Sequence, residues 1–465
     1  MAATPDVDLT KGPISGHFRT LAIPAAIGML FSTLYNVVDM FFAGLLSTSA
    51  QAGLALGTQA FYLAMAVGIG LGAAMGALVG NRIGAGDKPA ARDLAAQGLS
   101  FGAIGAALLA VAGQFYGPAL IQLVSEPGAY RDAGLRYFDI LTFALPGFLL
   151  AFACNGILQA HGDSKSYQRA LVVAFFANVV LNPFFMFGIP GVWGGIGFDG
   201  LAVSTVLCQS GVMIYMILQV LGRNSMADLA AGHFRPSLSK FTEIFWQVLP
   251  TGVSFLVMLL AGFVMQFALK TFGEHAIAGY GVAIRLEQIL LLPILGMTGA
   301  LLPIASQNFG AGHHDRVREA LFFCWKTGVI MCVIAFPILW IFGGRVLSLF
   351  NADPEVVRVG LAYLRVESVI LPVYMMLFAI NSFLQALKRP VWTVWISLYR
   401  QGFGIAFFVW VFVGLLGFDE TGVWFGTAAA VITGGMIGFV IVRHLAIREL
   451  GGFWPGGRAT APSAT

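Results

Sequence analysis

A single carboxylate stands in an otherwise apolar stretch near the start of the chain. Residues 30–46 read LFSTLYNVVDMFFAGLL, and Asp39 is the only charged side chain between Leu21 and Leu46. An ionised Asp in the middle of a membrane costs about 2.5 kcal/mol or more by insertion scales. A carboxylate kept in such a place, without a basic partner in the same stretch, indicates that it binds a proton or a cation.

Five more polar side chains are expected at a similar depth, in the outer half of the membrane. Neighbours at i−3 and i−4 share the face of Asp39, and two amides four residues apart share a face of a later helix. These side chains are Tyr35, Asn36, Asn178, Asn182 and Thr205. Their oxygens suit a Na⁺ cage, and burial among neutral groups suits a proton on the carboxylate equally. For the two amides, hydrogen bonding between helices is an alternative function.

The composition places the chain among integral membrane proteins. Of its 465 residues 58% are hydrophobic and only 10% are charged, and the mean hydropathy is +0.84; soluble domains have about 25% charged residues. A net charge of +4 without a basic run does not indicate nucleic-acid binding. The four cysteines lie in apolar runs as packing residues, and no cofactor or metal is expected beyond Na⁺ at the Asp39 set.

Hydropathy predicts twelve membrane-spanning helices, because about 20 apolar residues are needed to cross the hydrocarbon core. The predicted starts lie near residues 20, 54, 94, 134, 168, 201, 244, 277, 319, 359, 391 and 421. Most of the 26 Lys and Arg residues fall on one side if the N-terminus is cytoplasmic. We therefore expect a multi-pass protein of the inner or plasma membrane with both termini in the cytoplasm.

The sequence contains an internal repeat. A shift of 226 residues places Pro24 on Pro250, GAG at 84–86 on GAG at 310–312, and LQA at 158–160 on LQA at 384–386. Six helices separate the copies, so both have the same orientation in the membrane. This predicts an all-α fold of two six-helix lobes, residues 18–221 and 241–448, around a central cavity. The predicted remainder is an N-terminal segment (1–17), a cytoplasmic connector (222–240) and a flexible tail (449–465).

The proline at the start of each lobe has two interpretations. Within a helix, Pro24 removes a backbone hydrogen bond and permits bending. At a helix start it would only begin the helix. We favour the bending role and keep the alternative.

The two copies differ at their polar positions. Asp39 falls on Met265, and Asn178 and Asn182 fall on Gly404 and Phe408, so the acid–amide set belongs to the first lobe alone. The second lobe has its own charges, of which Glu287 is nearest to mid-depth. We assign a candidate substrate cavity to Glu287, Arg285, Arg400 and Gln59, the residue on which Arg285 falls. The alternative is a set of structural ion pairs that also includes Arg365 and Glu367.

Several of these features occur together in one known family. They are the twelve duplicated spans, the proline in the first helix, the acid of YNVVD, and GNRIGAGD at 80–87 with its copy SQNFGAGH at 306–313. Over nearly its whole length the sequence resembles the multidrug and toxic compound extrusion (MATE) family, with a similarity to its DinF-like branch.

The resemblance implies an antiporter that expels organic cations and drugs using a Na⁺ or H⁺ gradient. By this resemblance Asp39 is the cation-site acid of the first helix, Asn178 is its partner, Asn182 occupies a position of Asp or Asn, and Thr205 matches a hydroxyl of the sixth helix. Some members also have an acid in the seventh helix; here the stretch GVSFLVMLLAGFVMQFALK at 252–270 has none, which favours coupling through the first lobe.

Two other functions are weighed against this one. A flippase for lipid-linked oligosaccharides would be expected to line its cavity with several basic residues, and only Arg285 and Arg400 are obvious candidates. An enzyme would need acids and histidines clustered for acid–base or metal chemistry, and the sequence shows no such cluster. We expect a monomeric transporter whose partners are small organic cations or drugs and the lipid bilayer.

Overall fold

The computed structural model describes residues 6–350 and 353–456. The predicted N-terminal segment and tail therefore lie partly outside the described residues, at 1–5 and 457–465. The described residues contain twelve helices that are long and apolar enough to cross a membrane. They are α1 (Ile14–Leu46), α2 (Thr48–Gly84), α3 (Lys88–Val124), α4 (Ala129–Ala160), α5 (Lys165–Phe187), α6 (Asp199–Leu221), α7 (Leu238–Phe272), α8 (Glu274–Gly310), α9 (His314–Phe350), α10 (Pro354–Ala386), α11 (Val391–Leu415) and α12 (Thr421–Leu450). The prediction of an all-α membrane protein with twelve spans is confirmed.

Most helices begin three to six residues before the predicted starts, because their first turns are polar. The carboxylate of Asp87 accepts a hydrogen bond from the Ala90 N–H at 3.0 Å, so α3 begins at Lys88. Asp353 caps α10 in the same way, through the Glu355 N–H at 2.8 Å. Side-chain caps satisfy backbone groups that a helix end leaves free. Hydropathy detects only the apolar middle of such a helix.

Pro24 lies inside α1, ten residues after its first residue, and Pro250 lies inside α7. The alternative in which Pro24 begins its helix is therefore wrong. Each proline lies two residues before a point at which the chain passes from one compact unit to another, after Ala26 and after Gly252. The missing N–H of proline removes one helical hydrogen bond at each of these places.

The chain forms two compact units. Among the described residues, the first contains 6–8 and Ile27–Gly252, and the second contains Leu9–Ala26, 253–350 and 353–456. They differ from the lobes predicted at 18–221 and 241–448 because the beginnings of α1 and α7 are exchanged. Ile244 and Val248 of α7 are buried in the first unit's core. Phe18 of α1 packs in the second unit against Phe323, with ring centroids 5.0 Å apart.

Close contact between α2 and α4 organises the first unit. A Cβ atom on Gly156 would overlap the carbonyl oxygen of Gly72, so the two backbones meet where neither residue has a side chain. Small residues allow this approach between membrane helices. Gly53 of α2 similarly faces Ala133 and Gly134 of α4. The helices α2 and α4 are therefore packed tightly against each other in the first unit.

The shift of 226 residues also places Arg92 on Arg318, and the two arginines have equivalent structural roles. The Nε of Arg92 donates to the Ser225 carbonyl at 2.9 Å, just after α6. Arg318 donates from Nη1 to the Leu450 carbonyl at 3.1 Å, at the end of α12. Each arginine thus satisfies a backbone acceptor at or just after the last helix of its own copy.

Candidate functional site

Asp39 is held by two amides from another helix. The Nδ2 atoms of Asn178 and Asn182, both on α5, donate to Oδ1 of Asp39 at 2.9 Å and 2.8 Å. Asp39 is 5% exposed and both asparagines are fully buried. Charge-assisted hydrogen bonds of this kind stabilise a carboxylate away from water. The structure therefore brings together the three residues that the sequence placed at one depth.

The two asparagines also bond each other. Asn178 donates to Oδ1 of Asn182 at 3.3 Å, and Asn182 donates to Oδ1 of Asn178 at 3.1 Å. Their i, i+4 spacing on α5 places both amides on one face. Each amide oxygen thus accepts a hydrogen bond from the other amide, and each amide nitrogen also donates to the carboxylate. Asp39, Asn178 and Asn182 therefore form a closed ring of hydrogen bonds.

The other oxygen of Asp39 has a weaker partner. The hydroxyl of Thr205 on α6 donates to Oδ2 at 3.4 Å, and it accepts from the Tyr35 hydroxyl at 3.2 Å. A 3.4 Å separation is beyond the usual 2.5–3.0 Å of hydroxyl hydrogen bonds. Oδ2 is therefore the carboxylate oxygen with room for a further partner. The structure thus places Thr205 beside Asp39 and Tyr35 beside Thr205.

A cavity of about 340 Å³ in the first unit opens beside Asp39. Aromatic rings and methionines form much of its wall, and no Lys, Arg or His is among the described residues that line it. The aromatic and methionine residues are Tyr35, Met40, Phe61, Tyr62, Met65, Tyr137 and Phe148. Cation–π contacts and polarisable sulfur suit a flat organic cation.

Two predicted site residues line this cavity without bonding Asp39. Asn36 is exposed and donates to the Ser32 carbonyl at 3.0 Å, one turn back on α1. Gln59 is exposed on α2 and faces the same cavity. Gln59 therefore lies in the first unit, whereas Glu287, Arg285 and Arg400 lie in the second.

The second unit has a buried polar cluster of its own. The hydroxyl of Tyr363 on α10 donates to Oε2 of Glu287 on α8 at 2.5 Å, and Glu287 is buried. The guanidinium of Arg400 lies 5.3 Å from the ring centroid of Tyr374. Glu367 is also buried, and its Oε2 is without a hydrogen-bond partner among the described residues. Arg400 belongs to a π-helical turn of α11, Tyr399–Phe403.

Arg285 stands apart from this cluster because its side chain is exposed on α8. Of the predicted substrate set, Glu287 and Arg400 are thus buried in the second unit, and Arg285 and Gln59 are exposed. Opposite charges near each other in a protein interior are also compatible with structural ion pairing. The structural alternative for these charges therefore stays open.

The sequence analysis missed Tyr137, which lines the cavity beside Asp39. A signal was present, because the repeat preserves tyrosine at the equivalent position, Tyr363. Phe61, Tyr62 and Phe148 gave no signal, since aromatic residues are abundant throughout the chain.

Comparison with known proteins adds independent evidence. The MatE family profile matches residues 24–184 and 250–410, more than half of the chain. The two matched segments are offset by 226 residues, the shift that relates the two copies of the repeat. The chain is 26% identical over 404 residues to the FAD transporter of Shewanella oneidensis, covering 84% of this chain and 86% of that protein. It is 25% identical over 425 residues to the probable multidrug resistance protein NorM of Thermotoga maritima, covering 89% and 88%.

Solved structures show the same fold. An outward-facing MATE family multidrug resistance transporter of the MOP superfamily matches with a TM-score of 0.89 at 23% identity, over 97% of this chain and 99% of that one. A MOP superfamily transporter from Pyrococcus furiosus matches with the same score, identity and coverage. Family members are transporters and not enzymes. This chain, a multi-pass membrane protein, belongs to the MatE family of multidrug efflux transporters.

Proposed function

We propose that the protein is an antiporter that exports organic cations in exchange for protons, with Asp39 as the coupling site. One observation supports this most strongly. The buried carboxylate of Asp39, which accepts hydrogen bonds from Asn178 and Asn182, lines a cavity that has no basic residue among the described residues around it. An intramembrane carboxylate is expensive unless it has a function. One group in this position can interact with a proton or with a cationic substrate.

The hydrogen bonds favour a proton over Na⁺ as the coupling ion. Na⁺ needs several oxygen ligands, but the amide oxygens of Asn178 and Asn182 already accept hydrogen bonds from each other. Both amides would have to turn to offer those oxygens to an ion. A proton needs only one carboxylate oxygen, and Oδ2 of Asp39 has one long partner, Thr205. Because both amide oxygens already accept hydrogen bonds, this arrangement supports coupling to a proton.

The cavity supports a cationic rather than an anionic substrate. The relative from Shewanella oneidensis is a FAD transporter, and FAD carries a pyrophosphate. Lipid-linked oligosaccharides carry phosphate groups as well. Such groups are recognised by Arg, Lys or helix N-termini, whereas Asp39 would repel them. We therefore propose drugs and other organic cations, and a flippase becomes the second choice.

The proposed cycle uses alternating access of two six-helix lobes. Asp39 takes a proton from outside, α1 bends near Pro24, and the bound cation leaves outward. The return carries a new cation from the cytoplasm and releases the proton there. We propose the inner or plasma membrane as its location, with both termini cytoplasmic and a monomer as the working form. The excess of Lys and Arg on one side, counted along the sequence, supports this orientation.

The test uses purified protein in liposomes and the movement of ethidium. One set of liposomes has a pH gradient alone and the other a Na⁺ gradient alone, with the membrane potential clamped. We expect ethidium movement with the pH gradient only. Ethidium movement with the Na⁺ gradient alone would show that the coupling ion is Na⁺ and not a proton. No movement under either gradient would favour the flippase function instead.

A further inference from the structure

Three carboxamide side chains line the cavity beside Asp39, and each comes from a different helix. They are Asn36 on α1, Gln59 on α2 and Gln209 on α6. All three belong to the first unit. Asp39 is the only acid among the described residues that line this cavity. Recognition of the uncharged polar groups of a substrate is therefore left to amides and hydroxyls.

Counting along the helices places the three amides at one depth. Measured from the side on which α1 ends and α2 and α6 begin, Asn36 and Gln209 lie ten residues from the helix end and Gln59 lies eleven. Asp39 lies seven residues from that end and Thr205 six. At about 1.5 Å per residue, the amides are about 15–17 Å from this end and the carboxylate about 10 Å. The three residues, here called the amide layer, thus lie about one helical turn deeper than Asp39.

Gln209 has the most constrained position in the amide layer. It follows Thr205 by four residues, so both side chains share one face of α6, and the Thr205 hydroxyl donates to Oδ2 of Asp39. Gly147 of α4 lies against it, because a Cβ atom on Gly147 would lie 3.0 Å from the Cβ of Gln209. The next residue of α4, Phe148, lines the cavity as well. This close approach of two helices fixes the point from which the Gln209 amide extends.

The amide of Gln209 has hydrogen-bonding capacity that the protein does not use. The residue is only 7% exposed, and its side chain has no hydrogen-bond partner in the part of the chain that the structure describes. Gln59 likewise has no partner there, although it is exposed. Asn36 donates to the Ser32 carbonyl, which leaves its amide oxygen free. Because buried polar groups in proteins are normally paired, we expect a bound molecule to supply the partner of Gln209.

We propose that the amide layer selects organic cations that carry an amino, hydroxyl or other hydrogen-bonding group about one helical turn away from their positive charge. The proposal rests on the proposed function, which places the charge against Asp39. The polar group then meets the amide of Gln209, and Gln59 and Asn36 offer further partners around it. Side chains four residues apart on a helix have Cβ atoms about 5–6 Å apart, and this distance sets the spacing of the two groups on the substrate.

The amide layer discriminates against cations whose substituents are all apolar. Such a cation excludes water from the cavity and leaves Gln209 buried without a partner. A site with buried hydrogen-bonding groups rejects an analogue that lacks the matching group, because the polar atoms of the site are then unpaired. The carboxylate of Asp39 gives no such preference, since it attracts both cations through the same charge.

The experiment compares two flat cations of equal charge. One is ethidium, whose two amino groups are on the outer rings while the charged nitrogen is in the central ring. The other is the same phenanthridinium cation without the amino groups. Equilibrium dialysis of full-length protein in lipid nanodiscs, with binding to empty nanodiscs subtracted, gives both Kd values. We expect ethidium to bind about tenfold more tightly than its analogue.

Three variants identify the responsible side chain. Gln209→Met keeps the length of the side chain and removes its hydrogen bonds, so the ratio of the two Kd values should fall by about fivefold or more. Gln59→Met should lower the ratio less, because water reaches the exposed Gln59. Gln219→Met is the matched control, since Gln219 is also on α6 but is not among the residues that line the cavity, and it should keep the ratio.

The outcomes separate the amide layer from the proposed function. Saturable binding of both cations with the same ratio in Gln209→Met and in the wild type overturns the amide layer and leaves cation export unaffected. Dialysis needs no gradient, so a ratio that depends on Gln209 supports the amide layer even if no gradient moves ethidium, a result that overturns the proposed antiport alone. A protein that binds neither cation overturns both.

Discussion

Tyr137 and Tyr363 occupy equivalent positions of the repeat, and each lies beside the buried acid of its own unit. Tyr137 lines the cavity that Asp39 lines, and the Tyr363 hydroxyl donates to Glu287 at 2.5 Å. The acids themselves are not equivalent, since Asp39 falls on Met265 and Glu287 falls on Phe61. The duplication thus kept the tyrosine and changed the acid, which placed carboxylates on different helices of the two units.

Asp39→Asn should abolish coupling without unfolding the protein. The amide has the size of the carboxylate but cannot take up a proton, so ethidium movement driven by a pH gradient should fall to the level of empty liposomes. Its oxygen still accepts from Asn178 and Asn182, and the loss of stability should be about 1 kcal/mol or less. Asp139→Asn is the control, because Asp139 is an exposed acid of α4. Normal coupling in Asp39→Asn would make Asp39 a structural residue.

Asn178→Ala should reduce both stability and coupling. The change leaves Asp39 Oδ1 with one amide donor and leaves Asn182 without its partner amide, which costs about 1–3 kcal/mol for buried groups. Thermal unfolding in detergent and gradient-driven transport would measure the two effects. Asn36→Ala, in the same cavity but bonded only to Ser32, should change stability by less than about 0.5 kcal/mol. Equal losses of stability in both variants would contradict the hydrogen-bonded ring of Asp39, Asn178 and Asn182.

Glu287→Gln tests whether the second unit contacts the substrate. If Glu287 meets organic cations, as the sequence suggested, transport of ethidium should fall while the fold is kept, because the Tyr363 hydroxyl can still donate to the amide oxygen. Competition by several cations would show whether the loss is general. Full transport of every cation would leave Glu287 with a structural role.

Gly156→Ala should destabilise the first unit by about 1–3 kcal/mol, because its Cβ would overlap the Gly72 carbonyl where α2 and α4 meet. Thermal unfolding of the purified protein measures the loss. Gly211→Ala on α6 is the matched control, since no atom lies within 4 Å of the Cβ position there. The control should keep or slightly raise stability, as alanine favours helix by up to about 1 kcal/mol over glycine. A lower unfolding temperature in the control alone would contradict the packing argument.

The sequence alone determined the elements and the inventory of polar groups. Hydropathy and the 226-residue repeat depend on local composition, so they gave twelve spans without tertiary information. The depth of Asp39, Asn178 and Asn182 also followed, because the rise per residue of a helix is constant. The depth of a side chain in the membrane can therefore be predicted by counting residues from the end of its helix.

Which of these groups meet depends on how the helices pack. The sequence of a helix does not specify how the helix is rotated about its axis in the folded protein. In the structure this rotation places Asn182 against Asp39, whereas Asn36 donates to the Ser32 carbonyl of its own helix. The exchange of the beginnings of α1 and α7 between the units could not be read from a linear repeat. Hydrogen bonds are short and directional, so their partners depend on packing that counting along the sequence does not specify.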